Sequence, residues 1–399
     1  MAGRGFRTLD EADVADKRVL VRVDLNVPME KGRISDLTRI RAAVPTLREI
    51  TGKGGKAILL SHFGRPKGRD PSQSLAPVAP ELAKLLERPV AFAGDCIGAA
   101  ADEAVAAMKP GDVLLLENTR FHAGEQTNAP DFIAALARLG DLYVNDAFSV
   151  AHRAHASTEG LAHKLPAYAG RSMQAEIEAL GRVLESPARP VAAIVGGAKI
   201  STKLALLGNL VAKVKFLIIG GAMANTFLAA LGKNIGRSLD EPDLVATARE
   251  ILAQAKTADC EIVLPDDAVV AQRFGANAPS RVVSVDAVGP EDMILDIGPN
   301  SIERVISTLA RSKTLVWNGP FGAFELQPFD AGTLEIAEAT ADLTAAGRLI
   351  SIAGGGDTVA ALHQAGVADR FSYVSTAGGA FLEWLEGKPL PGVEALRVR

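Results

Sequence analysis

One rhythm runs through the whole chain: a short apolar run, a polar or glycine-rich tip, then a stretch with helical spacing. In the first half the runs that end in such tips are VLVRVDLN (19–26), AILLSHFGRP (57–66), VLLLENTRFH (113–122) and LYVNDAFS (142–149). In the second half they are AAIVGGAK (192–199), FLIIGGAM (216–223), EIVLPDDA (261–268), TLVWNGPFG (314–322) and LISIAGGGDT (349–358). Helical spacing fills the intervals, as at 80–86 and 131–139. Buried strands alternating with amphipathic helices predict parallel sheets covered on both faces, an α/β class of doubly wound, Rossmann-like domains. In such sheets ligands sit beyond the carboxyl ends of the strands, where this chain keeps its unusual residues.

The segment VAAIVGGAKISTKLAL (191–206) predicts strand, glycine turn and helix. Lys199 and Lys203, four apart, would share one face of that helix beside its positive end, a place for an anion. A solvated helix start with two surface lysines is the competing reading. SMQAEIEALGRVLES, with Met173, Ile177, Leu180 and Leu184 at helical spacing, predicts a helix at 172–187 that joins two domains. The domains are then 1–171 and 188–387. An ordinary surface helix is the alternative there.

A length of 399 residues exceeds one ordinary core and fits two domains. The net charge of −4 gives no electrostatic footprint for nucleic acid or anionic membrane, so an anion site must be local. Cys96 and Cys260 form no CxxC pair and read as buried thiols rather than a disulfide or a zinc site. None of the six histidines makes a ligand frame for a metal; His152 and His155 read as hydrogen-bonding groups. The first 18 residues lack the apolar core of a signal peptide, and glycines and polar residues interrupt the apolar stretch 216–231, so a soluble cytoplasmic protein is expected.

The tips of the first half are basic: Arg39 follows the Asp24 and Asn26 tip, and His62, Arg65, Arg120, His122 and Arg153 stand at others. Arginine forks converging from several strands suit a small polyanion. In the second half, Gly354, Gly355 and Gly356 precede Asp357 and Thr358 at a helix start, so backbone N–H groups could cradle phosphate while Asp357 holds Mg²⁺. Asn318 and Glu325 occupy another tip, and a carboxylate there could accept from ribose hydroxyls. A Walker A loop is absent, and GKGGKA (52–57) precedes a strand where a dinucleotide fingerprint would follow one; it reads as a helix-ending turn.

Taken together and in order, VRVDLNVP, SHFGRP, LLENTRFH, DAFSVAHRAHAST, GGAKISTK, WNGPFGAFE and AGGGDT resemble the phosphoglycerate kinase family over essentially the whole length. The resemblance implies two domains facing a cleft, joined by a helix, with the tail 388–399 returning to the first domain. It implies a phosphoglycerate site of Asp24, Asn26, Arg39, His62, Phe63, Gly64, Arg65, Arg120 and Arg153. It implies a site for Mg-ADP or Mg-ATP built from Lys203, Asn318, Glu325, Gly355, Gly356, Asp357 and Thr358, with Asp357 toward Mg²⁺. Arg39, Lys199 and Lys203 would meet the phosphoryl group in flight, which requires the domains to close. A monomer acting in glycolysis is the expected form.

Three positions depart from the family pattern: Thr202 where acidic residues are common, Ser149 where the DAFG motif has glycine, and Ala377 where STGGGA has glycine. If the last position needs φ > 0, Ala377 is strained. The reaction implied is reversible phosphoryl transfer between the carboxylate of 3-phosphoglycerate and ADP. A carboxylate with a reference pKa near ~4 needs no general base, which suits tips rich in Arg and Lys. The rival readings are a two-domain binding protein that closes on a phosphorylated metabolite without chemistry, an NAD-dependent dehydrogenase, and a catalytically dead relative.

Overall fold

The structure is a computed structural model and describes residues 5–184 and 186–398. The chain falls into two compact units, residues 1–178 with 389–399, and residues 179–388.

Unit 1 is built on a six-stranded parallel sheet of order β5-β6-β4-β1-β7-β8. Its strands are β1 (Arg18–Arg22), β4 (Lys56–Leu60), β5 (Val90–Ala93), β6 (Val113–Leu116), β7 (Leu142–Asn145) and β8 (Ala167–Ala169); β2 (Met29–Glu30) and β3 (Arg33–Ile34) form a small antiparallel ribbon. Helices α1 (Thr38–Gly52), α2 (Val78–Leu86), α3 (Ala99–Ala106), α4 (Ala123–Gln126) and α5 (Pro130–Ala137) fill the crossovers, and α6 (Arg171–Leu184) leads out of the unit. The central strands are apolar without alternation because both faces are covered: Val19, Val21, Leu59, Leu115 and Val144 pack with Ile40 and Leu47 of α1.

Unit 2 repeats the plan with order β11-β10-β9-β15-β16-β17. The strands are β9 (Val191–Val195), β10 (Phe216–Ile219), β11 (Glu261–Val263), β15 (Thr314–Asn318), β16 (Ile350–Ala353) and β17 (Tyr373–Val374). A separate antiparallel sheet holds β12 (Asp267–Ala271), β13 (Ser280–Ser284) and β14 (Met293–Ile297). Around the main sheet lie α7 (Leu204–Val211), α8 (Gly221–Ala230), α9 (Val245–Thr257), α10 (Pro299–Ala310), α11 (Ala331–Ala345), α12 (Gly356–Gln364) and α13 (Gly378–Leu385). Ile194, Ile218, Leu315 and Trp317 pack there with Ile302 and Ile336.

The sheet orders matter for function because each contains one place where the crossovers change direction. In unit 1 it lies between β1 and β7, where Arg22 is paired with Asn145; in unit 2 it lies between β9 and β15, where Val195 is paired with Asn318. Loops leaving two such strands diverge to opposite faces and leave a crevice at their carboxyl ends.

The predicted joining helix over 172–187 corresponds to α6, which ends at Leu184; Glu185 lies outside the described residues. Within unit 1 the tail forms α14 (Pro391–Glu394), whose Gly392 N–H donates to Ala151 O at 2.8 Å. Phe6 and Arg397 also form a β-bridge. GKGGKA ends α1 as read, with Gly54 at φ +79°. The stretch 216–231 is β10 followed by α8, and among the described residues no helix is long and apolar enough to cross a membrane. Cys96 and Cys260 are both buried, unpaired thiols.

Two expectations need correction. Lys199 and Lys203 do not share a helix face, because α7 starts only at Leu204 and Lys203 is its N-cap. Side chains take over the backbone groups that a longer helix would use: Thr202 Oγ1 donates to Lys199 O at 2.9 Å, and Ser201 N–H donates to Glu241 at 3.0 Å. Ala377 is also unstrained; its φ is −104°, and it caps α13 with its carbonyl accepting from Phe381 N–H at 2.8 Å.

Candidate functional site

In unit 1 the strand ends bring most of the predicted residues into one hydrogen-bonded chain. The turn after β1 is drawn in by Asp24, whose Oδ1 accepts from Asn26 N–H at 3.1 Å. Arg39, on the first turn of α1, donates to Asn26 O at 2.8 Å and pairs with Asp24 Oδ2 at 3.1 Å. Asn26 Oδ1 accepts from Gly64 N–H at 2.8 Å, and Gly64 O accepts from Arg120 Nη1 at 2.6 Å. Gly64 sits at φ +59°, so the turn after β4 depends on its lacking a side chain. Asn118 locks the same turn from the β6 end, with Oδ1 accepting from Phe63 N–H and from Arg120 N–H, each at 3.1 Å.

The electrostatics identify what these groups surround. His62 is buried and its imidazole is held well below the usual range, first by burial and then by Arg22, Arg120, Arg153 and Arg39. His155 is pushed down to about 4 by burial and by Arg120, Arg153 and Arg22. Arg120 itself is lowered to about 10, by burial and then by Arg153 and Arg22, with Arg65 adding and Glu125 opposing. Its Nε is buried and donates to no group among the described residues. Arginines that raise the cost of each other's charge, around imidazoles kept neutral, make a site that a polyanion relieves.

Arg22 was not picked out from the sequence. It is 1% exposed at the end of β1, donates from Nε to Ser157 Oγ at 2.9 Å and meets His62 Nδ1 at 3.0 Å. A lone cation inside the apolar run VLVRV was the available signal, since a buried charge has to be paired. Ser149, which in the sequence is a departure from the DAFG motif, donates from Oγ to Asp24 Oδ2 at 2.5 Å.

His122 requires a further correction, because the structure gives it the cysteine and carboxylate neighbours that the sequence did not reveal: Asp95, Cys96 and His122 offer ligand atoms within 4.8 Å of one another. Asp95 is already engaged, by His122 Nε2 at 2.6 Å, by Cys96 N–H at 2.7 Å and by Arg69 at 3.0 Å. Burial pushes the Cys96 thiol well up, while Asp95 and His122 stay part-exposed and are bonded to each other.

In unit 2 the loop after β9 carries Lys203 back to the strand ends. Its Nζ donates to Gly196 O at 2.6 Å, to Asn318 Oδ1 at 2.6 Å and to Asn318 O at 3.2 Å. Burial lowers this ammonium to about 8, opposed by the nearby Asp357 carboxylate. Asn318 is buried and donates from Nδ2 to Gly354 O at 2.8 Å; Thr358 Oγ1 accepts from Gly319 N–H at 2.7 Å. Both residues tie the end of β15 to the start of α12. The groups left facing solvent are Lys199, Gly356 and Asp357.

Helix α12 begins at Gly356, and the first N–H groups of a helix have no partner within it. Those donors, the dipole and Lys203 suit phosphate oxygens, and Asp357 in the first turn offers the single carboxylate that commonly suffices for Mg²⁺ shared with a polyphosphate. Glu325 is exposed on the loop after β15 and makes no hydrogen bond to Lys203, Asn318 or residues 355–358.

Comparison with known proteins extends this picture. The family model for phosphoglycerate kinase matches residues 9–388. The chain is 69% identical over 392 residues to the phosphoglycerate kinase of Xanthobacter autotrophicus, covering 98% of this chain and 99% of that one. It is 64% identical over 394 residues to that of Bradyrhizobium diazoefficiens, covering 99% of each. Among solved structures, phosphoglycerate kinase from Coxiella burnetii superposes with a TM-score of 0.91 at 42% identity, covering 98% of both chains. The enzyme from Pyrococcus horikoshii superposes at 0.83 and 31%, with the same coverage.

Proposed function

This chain belongs to the phosphoglycerate kinase family, and from that premise we propose how its residues divide the work of the reaction. The activity is reversible transfer of a phosphoryl group from 1,3-bisphosphoglycerate to ADP, giving 3-phosphoglycerate and ATP.

Phosphoglycerate is held in unit 1. Arg39, Arg65, Arg120 and Arg153 take its phosphate and carboxylate, while Asp24 and Asn26 accept from and orient its hydroxyl. His62, Phe63 and Gly64 form the wall behind it. The nucleotide is held in unit 2, its phosphates on the α12 start at Gly355, Gly356, Asp357 and Thr358, with Asn318 keeping that start in place and Glu325 reaching the ribose. Mg²⁺, when bound with the nucleotide at Asp357, spreads the negative charge of the phosphates.

No group in this scheme has to remove a proton, because the acceptor carboxylate is ionised at neutral pH with a reference pKa near ~4. The protein's contribution is orientation and positive charge at the equatorial oxygens, from Arg39 in one unit and Lys199 and Lys203 in the other. The observation that carries this reading is the crowd of Arg22, Arg39, Arg120 and Arg153 around a neutral, buried His62. A binding protein without chemistry would need that cluster but not Lys203 and the α12 start. The working form in this scheme is a cytoplasmic monomer; the two unpaired thiols fit the reducing compartment and bear only on that half.

The test is ADP release from Mg-ATP by the purified protein, with 3-phosphoglycerate and Mg²⁺ each omitted in turn, together with calorimetric binding of both substrates. Release that needs both, with phosphoglycerate binding lost in Arg120→Ala and nucleotide binding weakened in Asp357→Ala, supports the scheme. Unchanged phosphoglycerate affinity in Arg120→Ala would overturn the unit 1 assignment.

A further inference from the structure

We propose that Ser149 is a positioning residue of the phosphoglycerate site, fixing the Asp24 carboxylate so that Arg39 stays presented to the substrate. This inference rests on the assignment of Asp24 and Arg39 to that site.

The bond in question joins the two strands that flank the switch point of unit 1. Ser149 lies on the turn after β7 and donates from Oγ to Asp24 Oδ2 at 2.5 Å, at the end of β1. A hydroxyl donating to a carboxylate at that separation is among the stronger hydrogen bonds a protein makes. Asp24 is largely buried, its side chain 12% exposed, while Arg39 is 38% exposed. The carboxylate therefore has few alternative partners: Ser149 on Oδ2, the Asn26 N–H on Oδ1 at 3.1 Å, and Arg39 Nη1 at 3.1 and 3.3 Å from the two oxygens.

Arg39 is thus held through one nitrogen, at an uneven distance from the two oxygens, and not by a parallel two-nitrogen fork. Without the hydroxyl, Asp24 can turn about its side-chain bonds and take both guanidinium nitrogens, a more favourable pairing that withdraws Arg39 from the ligand. The disturbance then runs along the chain already described, through Asn26 and Gly64 to Arg120.

The turn bearing Ser149 is itself braced. Asn145 Oδ1 accepts from Ala147 N–H at 3.2 Å, Val150 N–H donates to Ala147 O at 3.2 Å, and Gly392 of α14 donates to Ala151 O at 2.8 Å. Where the related motif has glycine, no side chain reaches Asp24, so this chain carries a constraint that the motif does not supply.

The experiment is steady-state kinetics on Ser149→Ala, Ser149→Gly, Ser149→Thr, Asp24→Asn and the double variant Asp24→Asn with Ser149→Ala. Losing one hydrogen bond to a charged group predicts about a tenfold fall in kcat/KM for 3-phosphoglycerate in the Ala and Gly variants. The KM for Mg-ATP stays unchanged, Ser149→Thr recovers most of the loss, and Ser149→Ala adds nothing further once Asp24 is Asn.

Equal kcat/KM in wild type, Ser149→Ala and Ser149→Gly overturns the inference. So does a matching rise in both KM values, or full additivity with Asp24→Asn. Ser149→Gly, which leaves the backbone unconstrained, keeps the test valid if Ser149→Ala melts early. A normal KM for phosphoglycerate in Arg39→Ala would instead overturn the site assignment underneath.

Discussion

Lys203 Nζ lies 2.6 Å from Asn318 Oδ1, and the contact bridges β9 and β15 where the crossovers of unit 2 change direction. Ser149 and Asp24 do the same between β7 and β1 in unit 1. In both units the crevice that topology leaves at the strand ends is thus spanned by a side-chain bond, and the proposed substrate-binding residues are its partners or neighbours.

The Lys203 bond implies a pH dependence. Burial lowers the ammonium to about 8, and it must be charged to meet phosphate, so activity is present below that value and lost above it. kcat/KM for Mg-ATP, which reports the free enzyme, should fall along an alkaline limb near pH 8. In kcat the limb should move upward, because bound polyphosphate favours the charged form. A kcat/KM profile flat through that region would take Lys203 out of phosphate binding.

Arg39→Ala should lower turnover by orders of magnitude while barely moving the melting temperature. The arginine it removes is 38% exposed, and pairs with an exposed partner contribute roughly 0–1 kcal/mol. Asp24 is not orphaned, since Ser149 and Asn26 N–H still donate to it. Initial rates and a thermal melt on the same preparation check both halves; normal turnover would exclude Arg39 from transfer.

The two sheets were legible because β1, β4, β6, β7, β9, β10 and β15 are apolar without alternation and end in marked tips. The antiparallel sheet of β12 to β14 was not, since its SRVVS strand is largely exposed and has no apolar face to betray it. The charged site residues could be named from their tips, but their partners could not. Arg22, buried in a strand, and Ser149, a small polar residue in a turn, gain meaning only from groups 135 and 125 positions away. The Lys199 and Lys203 spacing misled because local side-chain bonds at 201–202 outcompeted the helix.

Two adjacent glycines should respond in opposite ways to alanine. Gly355 sits at φ +98°, and an added Cβ would lie 2.5 Å from Asn318 Nδ2, the group bonded to Gly354 O. Gly356 has open space and ordinary backbone. Gly355→Ala should cost about 1–3 kcal/mol of stability from strain and raise the KM for Mg-ATP more than it raises that for phosphoglycerate. Gly356→Ala should fold normally. Melts and the two KM values decide it, and equal effects would mean the turn at 355 is softer than its geometry.

The last expectation concerns stability against pH. Asp146 follows β7 and caps α6, accepting from Ser172 N–H at 2.8 Å and Met173 N–H at 3.2 Å, and burial pushes its carboxyl up to about 7 from an ordinary 3.8. A carboxyl that is raised on folding holds its proton in the folded state after the unfolded chain has released it. Its contribution is therefore complete below about 4 and disappears as pH rises through about 7. Asparagine keeps the capping oxygen and cannot ionise, so Asp146→Asn should match wild type in acid and melt several degrees higher above pH 7. Asp296, raised to about 7 by the same cause in unit 2, keeps part of the slope in that variant, and the pair Asp146→Asn with Asp296→Asn should flatten it further. Parallel melting curves for wild type and Asp146→Asn across that range would mean the carboxyl ionises in the folded state as it does in the open chain. In that case the two α6 amides, rather than burial, set its charge.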